Sequence, residues 1–156
     1  VKTIILYATK HGAAAEIARR IAERIEGAES YDLKQGSFPG LAGYDCVIVG
    51  ASLYAGMMRK QAKAFLAQNA HVLRNKRLGL FLSGMNFSKE KEAFEANVPR
   101  DILQNAKAAG FLGGIFDPQK AGVLERFVMR AAAKQSAYTD IIDDGRIGQF
   151  VRDLTS

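Results

Sequence analysis

The chain has 156 residues, 48% hydrophobic and 24% charged, which suits one domain spanning 1–156 and excludes disordered and collagen-like sequences. A net charge of +6 favours anionic partners, but the closest basic clusters, Arg59-Lys60 and Arg74-Asn75-Lys76-Arg77, carry no interleaved aromatics. Solvated helix faces account for them, and no nucleic-acid partner is expected. No apolar run is long enough to cross a bilayer, and Val1 to Tyr7 is too short an apolar stretch for a secretory signal, so a cytoplasmic protein is expected.

In chain order, Thr3 to Ala8 is the first apolar run with the look of a buried strand. The loop Thr9-Lys10-His11-Gly12-Ala13-Ala14 leads into a helix over about Ala13 to Glu26, where Ile17, Ala18, Ile21, Ala22 and Ile25 form one apolar stripe and Gly27 supplies the stop. Ser30 to Leu33 is short and polar enough for an edge strand. Cys46 to Gly50 is a second buried strand. It holds the one cysteine, Cys46, whose setting suits inert packing and whose solitude excludes a disulfide framework. His11 and His71 are far apart and lack carboxylates at ligand spacing, so no metal site is expected.

A helix over about Met58 to Asn69 turns Ala62, Phe65 and Leu66 inward. Leu78 to Ser83 is the next strand. Ser88 to Ala109 reads as two short helices divided at Pro99, because proline is tolerated in a first turn and not mid-helix. Phe111 to Phe116 is the last expected strand, followed by a helix near Val123 to Lys134. A final helix over about Asp144 to Leu154 places Ile147, Phe150, Val151 and Leu154 at i, i+3, i+4 and i+7.

Five strands alternating with helices predict an α/β fold. Its sheet is doubly wound, parallel and five-stranded, in the order 2-1-3-4-5 with helices on both faces. The ligand crevice of such a sheet lies beyond the carboxyl ends of the strands, so the loops after Ala8, Gly50 and Ser83 are expected to line it. In the first loop, helix-terminal amides, Gly12 and the Thr9 hydroxyl suit a phosphate, with Lys10 and His11 adding charge or donors. An ordinary turn is the competing reading. Gly-x-Gly-x-x-Gly and Gly-x-x-x-x-Gly-Lys are both absent, which disfavours a dinucleotide site and a P-loop. In the second loop the backbone and Ser52 suit a polar ring edge, and Leu53 or Tyr54 an aromatic face; the alternative is that Tyr54 packs on the helix below. In the third, Ser83, Gly84, Asn86 and Phe87 suit a flat ligand, against a simple cap by Asn86 or Ser88.

The whole chain resembles the flavodoxin superfamily, and within it the menaquinone-dependent protoporphyrinogen dehydrogenase branch. The resemblance is carried by Tyr7 to Ala18, Val47 to Gly56, Gly113 to Asp117, Leu124 to Arg130 and Tyr138 to Asp140. It implies a flavodoxin-like fold and FMN as cofactor. The phosphate would lie on Thr9, Lys10, His11, Gly12, Ala13 and Ala14, and the isoalloxazine ring on Ser52, Leu53, Tyr54, Ala55, Gly56, Ser83, Gly84, Asn86 and Phe87. It also implies an FMN-dependent oxidoreductase with a porphyrinogen, quinone or redox protein as electron partner, and contact with the inner face of a membrane. Two departures accompany it. Ala14 stands where such families usually have a second hydroxyl residue, which predicts weaker FMN binding by on the order of 1–2 kcal/mol. The segment after the fourth strand is shorter than the loop thought to serve the porphyrin in that branch. An electron carrier and a module that has lost its flavin are the alternatives; carriers are typically acidic, and this chain is basic. No side chain stands out as an acid, base or nucleophile. A phosphoacceptor receiver is excluded because the strand ends in Gly50-Ala51 where that chemistry needs an aspartate.

Overall fold

The computed structural model describes residues 1–120, 122 and 137–156. Five parallel strands form the central sheet: β1 (Thr3–Ala8), β2 (Glu29–Asp32), β3 (Cys46–Tyr54), β5 (Arg77–Ser83) and β6 (Ala108–Phe111), in the spatial order β2-β1-β3-β5-β6. A two-residue strand, β4 (Met57–Met58), runs back against the end of β3 as a hairpin. Leaving that hairpin aside, the parallel order is the expected 2-1-3-4-5. Helices α1 (Ala13–Glu23), α2 (Lys60–Leu73), α3 (Glu90–Asn97), α4 (Arg100–Asn105) and α5 (Asp144–Thr155) surround the sheet.

Both alternating sets of strand residues are apolar because each faces a different helical layer. Ile4, Leu6, Val47, Val49, Leu78, Leu80 and Leu82 join Ala62, Phe65, Leu66, Phe94 and Ile102 from α2, α3 and α4. On the opposite face, Ile5, Cys46, Ile48 and Phe81 pack on Ile17, Ile21, Ile147, Phe150 and Leu154 from α1 and α5. The Cys46 thiol is buried among these groups, and burial pushes its pKa up, as inert packing requires. Gly50 lacks a Cβ because the Phe81 ring fills its place; an added carbon would lie 2.0 Å from that ring.

Several boundaries differ from expectation. Helix α1 stops at Glu23 because the following amides turn to i−3 acceptors, Arg24 to Ile21 and Ile25 to Ala22. The second buried strand continues four residues past Gly50, and α2 begins at Lys60 because Met57 and Met58 belong to the hairpin. Pro99 is the residue before α4, dividing α3 from α4 as anticipated. The fifth strand is not Phe111 to Phe116. It is Ala108–Phe111, a half-exposed edge, and β7 (Ile115–Phe116) leaves the sheet to pair antiparallel with β8 (Thr139–Asp140). The break is at Gly113, whose φ is +92° and whose missing Cβ would strike the Ile141 carbonyl at 2.1 Å. The expected helix over Val123 to Lys134 lies outside the described residues.

Candidate functional site at the carboxyl ends of the strands

The parallel registers place Ala8 beside Ala51 and Ser52 beside Ser83, so the first three loops emerge together at one end of the sheet. The first is tightly built. Gly12, at φ +105°, reverses the chain just before α1, and its N–H donates to Thr9 Oγ1 at 2.9 Å. The Lys10 N–H donates to Ser52 Oγ at 3.0 Å and ties the first loop to the end of β3. These two hydroxyls take two of the amides that the sequence assigns to an anion.

The amides that remain are those of the helix itself. Helix α1 has no side-chain cap, and its first backbone bond runs from Glu16 to Gly12. The N–H groups of Ala13, Ala14 and Ala15 therefore find no acceptor among the described residues, as at any uncapped helix start. A Cβ built on Gly12 would meet nothing within 4 Å. Glu16, in the same first turn, is matched to Arg19 at 2.7 Å and Arg20 at 2.9 Å. Hydrogen bonds from Arg19 lead the effects that hold its carboxyl down at about 2, against the opposing pull of burial. An uncapped helix start and a neutralised first turn suit an anionic group. The Ala14 side chain is fully buried, in the same apolar cluster as Ile5, Ile17 and Ala18.

The second loop is a hairpin tip. Ala55 (φ +49°) and Gly56 (φ +78°) both have positive φ, the signature of a type I′ turn. Tyr54 is half-buried. The Lys10 ammonium sits over its ring, 3.5 Å from the centroid, so the two expected contact residues already meet each other. Leu53 points to the third loop, its Cδ1 lying 3.3 Å from where a Gly84 Cβ would be.

The third loop is occupied with structural duties. Gly84 donates its N–H to the Gly113 carbonyl at 3.1 Å, and a Cβ there would lie 2.7 Å from the Phe111 ring. Asn86 caps a short 3-10 turn, accepting from the Ser88 N–H at 3.1 Å and the Ser88 hydroxyl at 2.6 Å. The capping explanation of Asn86 is the one the structure bears. Phe87 packs edge-on to Phe111 with ring centroids 5.7 Å apart, and the Arg146 guanidinium lies 4.4 Å from its ring centroid. Thr9, Lys10, Gly12, Ser52 and Tyr54 thus converge, Leu53 and Gly84 adjoin, Ser83 is buried beneath, and Asn86 and Phe87 are engaged elsewhere.

One residue of this region gave no sequence signal. Asn97, 4% exposed at the end of α3, accepts from the Met58 N–H at 2.9 Å and donates to the Gly56 and Ala93 carbonyls at 2.8 Å. It clamps the hairpin that carries Tyr54 and Ala55. A polar residue late in a short helix looks in sequence like surface.

The sequence model of the flavodoxin domain family matches residues 4–141. Among solved structures, a short-chain flavodoxin associated with a non-canonical PDU bacterial microcompartment superposes with a TM-score of 0.59 at 17% identity, over 99% of this chain and 96% of that one. Oxidised flavodoxin 1 from Bacillus cereus gives 0.52 at 16% identity, over 87% and 100% of the two chains. A flavodoxin from the domain Archaea gives 0.53 at 17%, over 86% and 98%. At these identities the likeness is one of fold. No curated protein matches the chain.

Proposed function

The chain belongs to the flavodoxin domain family, and from that premise we propose that it binds FMN in this crevice and serves as an FMN-dependent oxidoreductase. The observation that carries the reading is the uncapped start of α1, where the amides of Ala13 to Ala15 have no acceptor among the described residues. Those amides and the Thr9 hydroxyl would hold the phosphate, with Lys10 and His11 beside it. Ser52, Leu53, Tyr54, Ala55 and Gly56 would flank the ring; Ser83 and Gly84 support its floor, and Asn86 and Phe87 stand at the outer margin. Bound FMN would supply one- and two-electron transfer. The protein's own part is to fix the anion by preorganised N–H groups and to shape the walls. The Lys10 side chain must leave the Tyr54 ring, or stay as one face of the slot, when the ring enters.

The finer reading is a protoporphyrinogen-dehydrogenase-like enzyme with a quinone acceptor. It rests on the resemblance of Gly113 to Asp117 and Tyr138 to Asp140; Leu124 to Arg130, the third such segment, lies outside the described residues. The direct experiment is to titrate the protein with FMN and follow flavin fluorescence, then supply the complex with protoporphyrinogen and a quinone. Saturable quenching supports the cofactor reading, and porphyrin formation the finer one. Unchanged fluorescence at high protein concentration would sink both.

A further inference from the structure

The charge of the chain is unevenly laid out. Between Cys46 and Lys89 there are seven Lys and Arg residues and no Asp or Glu, whereas the remainder holds fifteen basic and sixteen acidic residues and is nearly neutral. Within that stretch, Arg74 pairs with Asp101 at 3.1 Å and Lys76 donates to the Leu41 carbonyl at 3.0 Å, both at the far end of α2 from the crevice. At the crevice end, Arg59, Lys60 and Lys63 form no ion pair among the described residues.

Their position is electrostatically costly within the chain. Arg59 caps α2, Lys60 opens it and Lys63 lies one turn on, so three cations sit at the positive end of a helix that has no acidic residue in its first turn. The Arg59 carbonyl accepts the Lys63 N–H at 3.2 Å, which sets the two residues one turn apart. The Arg59 Nε is shut off from solvent and is the one buried side-chain nitrogen or oxygen without a hydrogen-bond partner among the described residues. Beside them projects Met57, 47% exposed on the hairpin tip. The carboxylates of α3, the helix packed on that hairpin, are already matched, Glu92 to Lys89 at 3.2 Å and Glu95 to Lys91 at 4.0 Å. Nothing described in the chain answers this charge.

We propose that Met57, Arg59, Lys60 and Lys63, on the hairpin tip and first turn of α2, form the docking surface for an acidic redox protein. As a statement about electron exchange it rests on the reading that the adjoining crevice holds FMN, because the same hairpin forms one wall of that crevice. Charge complementarity selects the partner: clustered carboxylates would answer three unmatched cations and the helix terminus, and a single apolar contact at Met57 would sit at the centre. A membrane is the poorer occupant, because one exposed methionine is too little apolar area to anchor in lipid.

The test uses an acidic [2Fe–2S] ferredoxin as probe, with calorimetric titration of the protein at low salt, with and without FMN. Binding is expected that weakens as salt rises from about 0.02 M to about 0.3 M. Lys60→Glu with Lys63→Glu lowers the affinity by about tenfold or more, while leaving FMN affinity unchanged. The pair Lys107→Glu and Arg152→Glu makes the same change in net charge away from this surface and leaves ferredoxin affinity within about twofold. An equal loss in both pairs, no ferredoxin binding, or patch-dependent binding to phosphatidylglycerol vesicles in its place would overturn the proposal. If FMN fails to bind while ferredoxin still docks on this surface, the flavin reading falls and the docking surface stands.

Discussion

Asn97 and Gly12 show how single positions hold the crevice. Asn97 satisfies the Met58 N–H and the Gly56 carbonyl in a nearly dry setting, so Asn97→Ala leaves both without a partner. A loss of about 2–4 kcal/mol is expected in urea unfolding, together with weaker FMN binding, because the type I′ turn at Ala55 and Gly56 loses its clamp. Asn97→Asp retains the acceptor and loses the donors, and is expected to fall between. Gly12→Val puts a β-branched side chain where φ is +105°, a conformation that costs on the order of 1–3 kcal/mol, at the turn that leads into the helix amides. FMN titration is expected to show affinity lost while circular dichroism shows the fold retained. Unchanged affinity would mean the flavin does not use this opening. Ala14→Thr is a sharper case. The resemblance to the family implies that an added hydroxyl tightens FMN binding, but the Ala14 side chain is fully buried. A threonine there adds bulk to a side chain position with no exposure, so lower stability with no gain in affinity is expected from the same two measurements.

At the scale of the element, the alternating helical and apolar runs were legible and their ends were not. Stripes on α1 and α5 and the runs of β1, β3 and β5 name the buried faces, because a helix or strand covered by neighbours must be apolar where it is covered. The edge strand β6 was misplaced because Ala108-Ala109-Gly110 is weakly apolar, whereas Phe111 to Phe116 is richer in large side chains. Its pairing is decided by long-range register with β5, which no local pattern contains. The free end of that strand is guarded: the Phe111 N–H donates to Glu90 Oε2 at 2.8 Å, and Arg146 donates to the Phe111 carbonyl at 3.2 Å. The hairpin after β3 went unread for a related reason, since an alanine in a left-handed conformation is no turn signal. Gly50→Ala tests the sheet interior. With the buried Phe81 ring 2.0 Å from the new carbon, destabilisation of at least about 2 kcal/mol is expected by thermal or urea unfolding.

For the molecule as a whole, the ion pairs predict how stability follows pH. Hydrogen bonds from Arg19 hold Glu16 at about 2, hydrogen bonds from Tyr31 and Tyr44 lower Glu29, and Arg74 lowers Asp101. Each carboxyl is more acidic folded than unfolded, so the unfolded chain binds more protons as acid is added. The stabilisation is present above the ordinary carboxylate range near 4 and is lost as pH falls toward 2. At the other end, burial pushes the Tyr44 hydroxyl up to about 12, with its hydrogen bond to Glu29 adding to the effect. That stabilisation is complete below the ordinary tyrosine value near 10 and fades as pH rises past it toward 12. Urea midpoints measured from pH 2 to 12 are therefore expected to form a plateau between about 5 and 9 with a fall on each side. A midpoint that holds steady down to pH 3 would contradict the acid limb.

What the sequence determined by itself was the class of fold, the order of its parallel strands and the end of the sheet at which the first three loops emerge. Apolar periodicity and right-handed crossovers are local or chiral rules that act before any distant contact forms. Tertiary structure alone decided which groups are free to meet a ligand. Whether an amide is open or already bonded to Thr9 or Ser52, whether Asn86 faces a crevice or its own turn, and that Asn97 braces the hairpin all depend on atoms brought together from far apart in the chain.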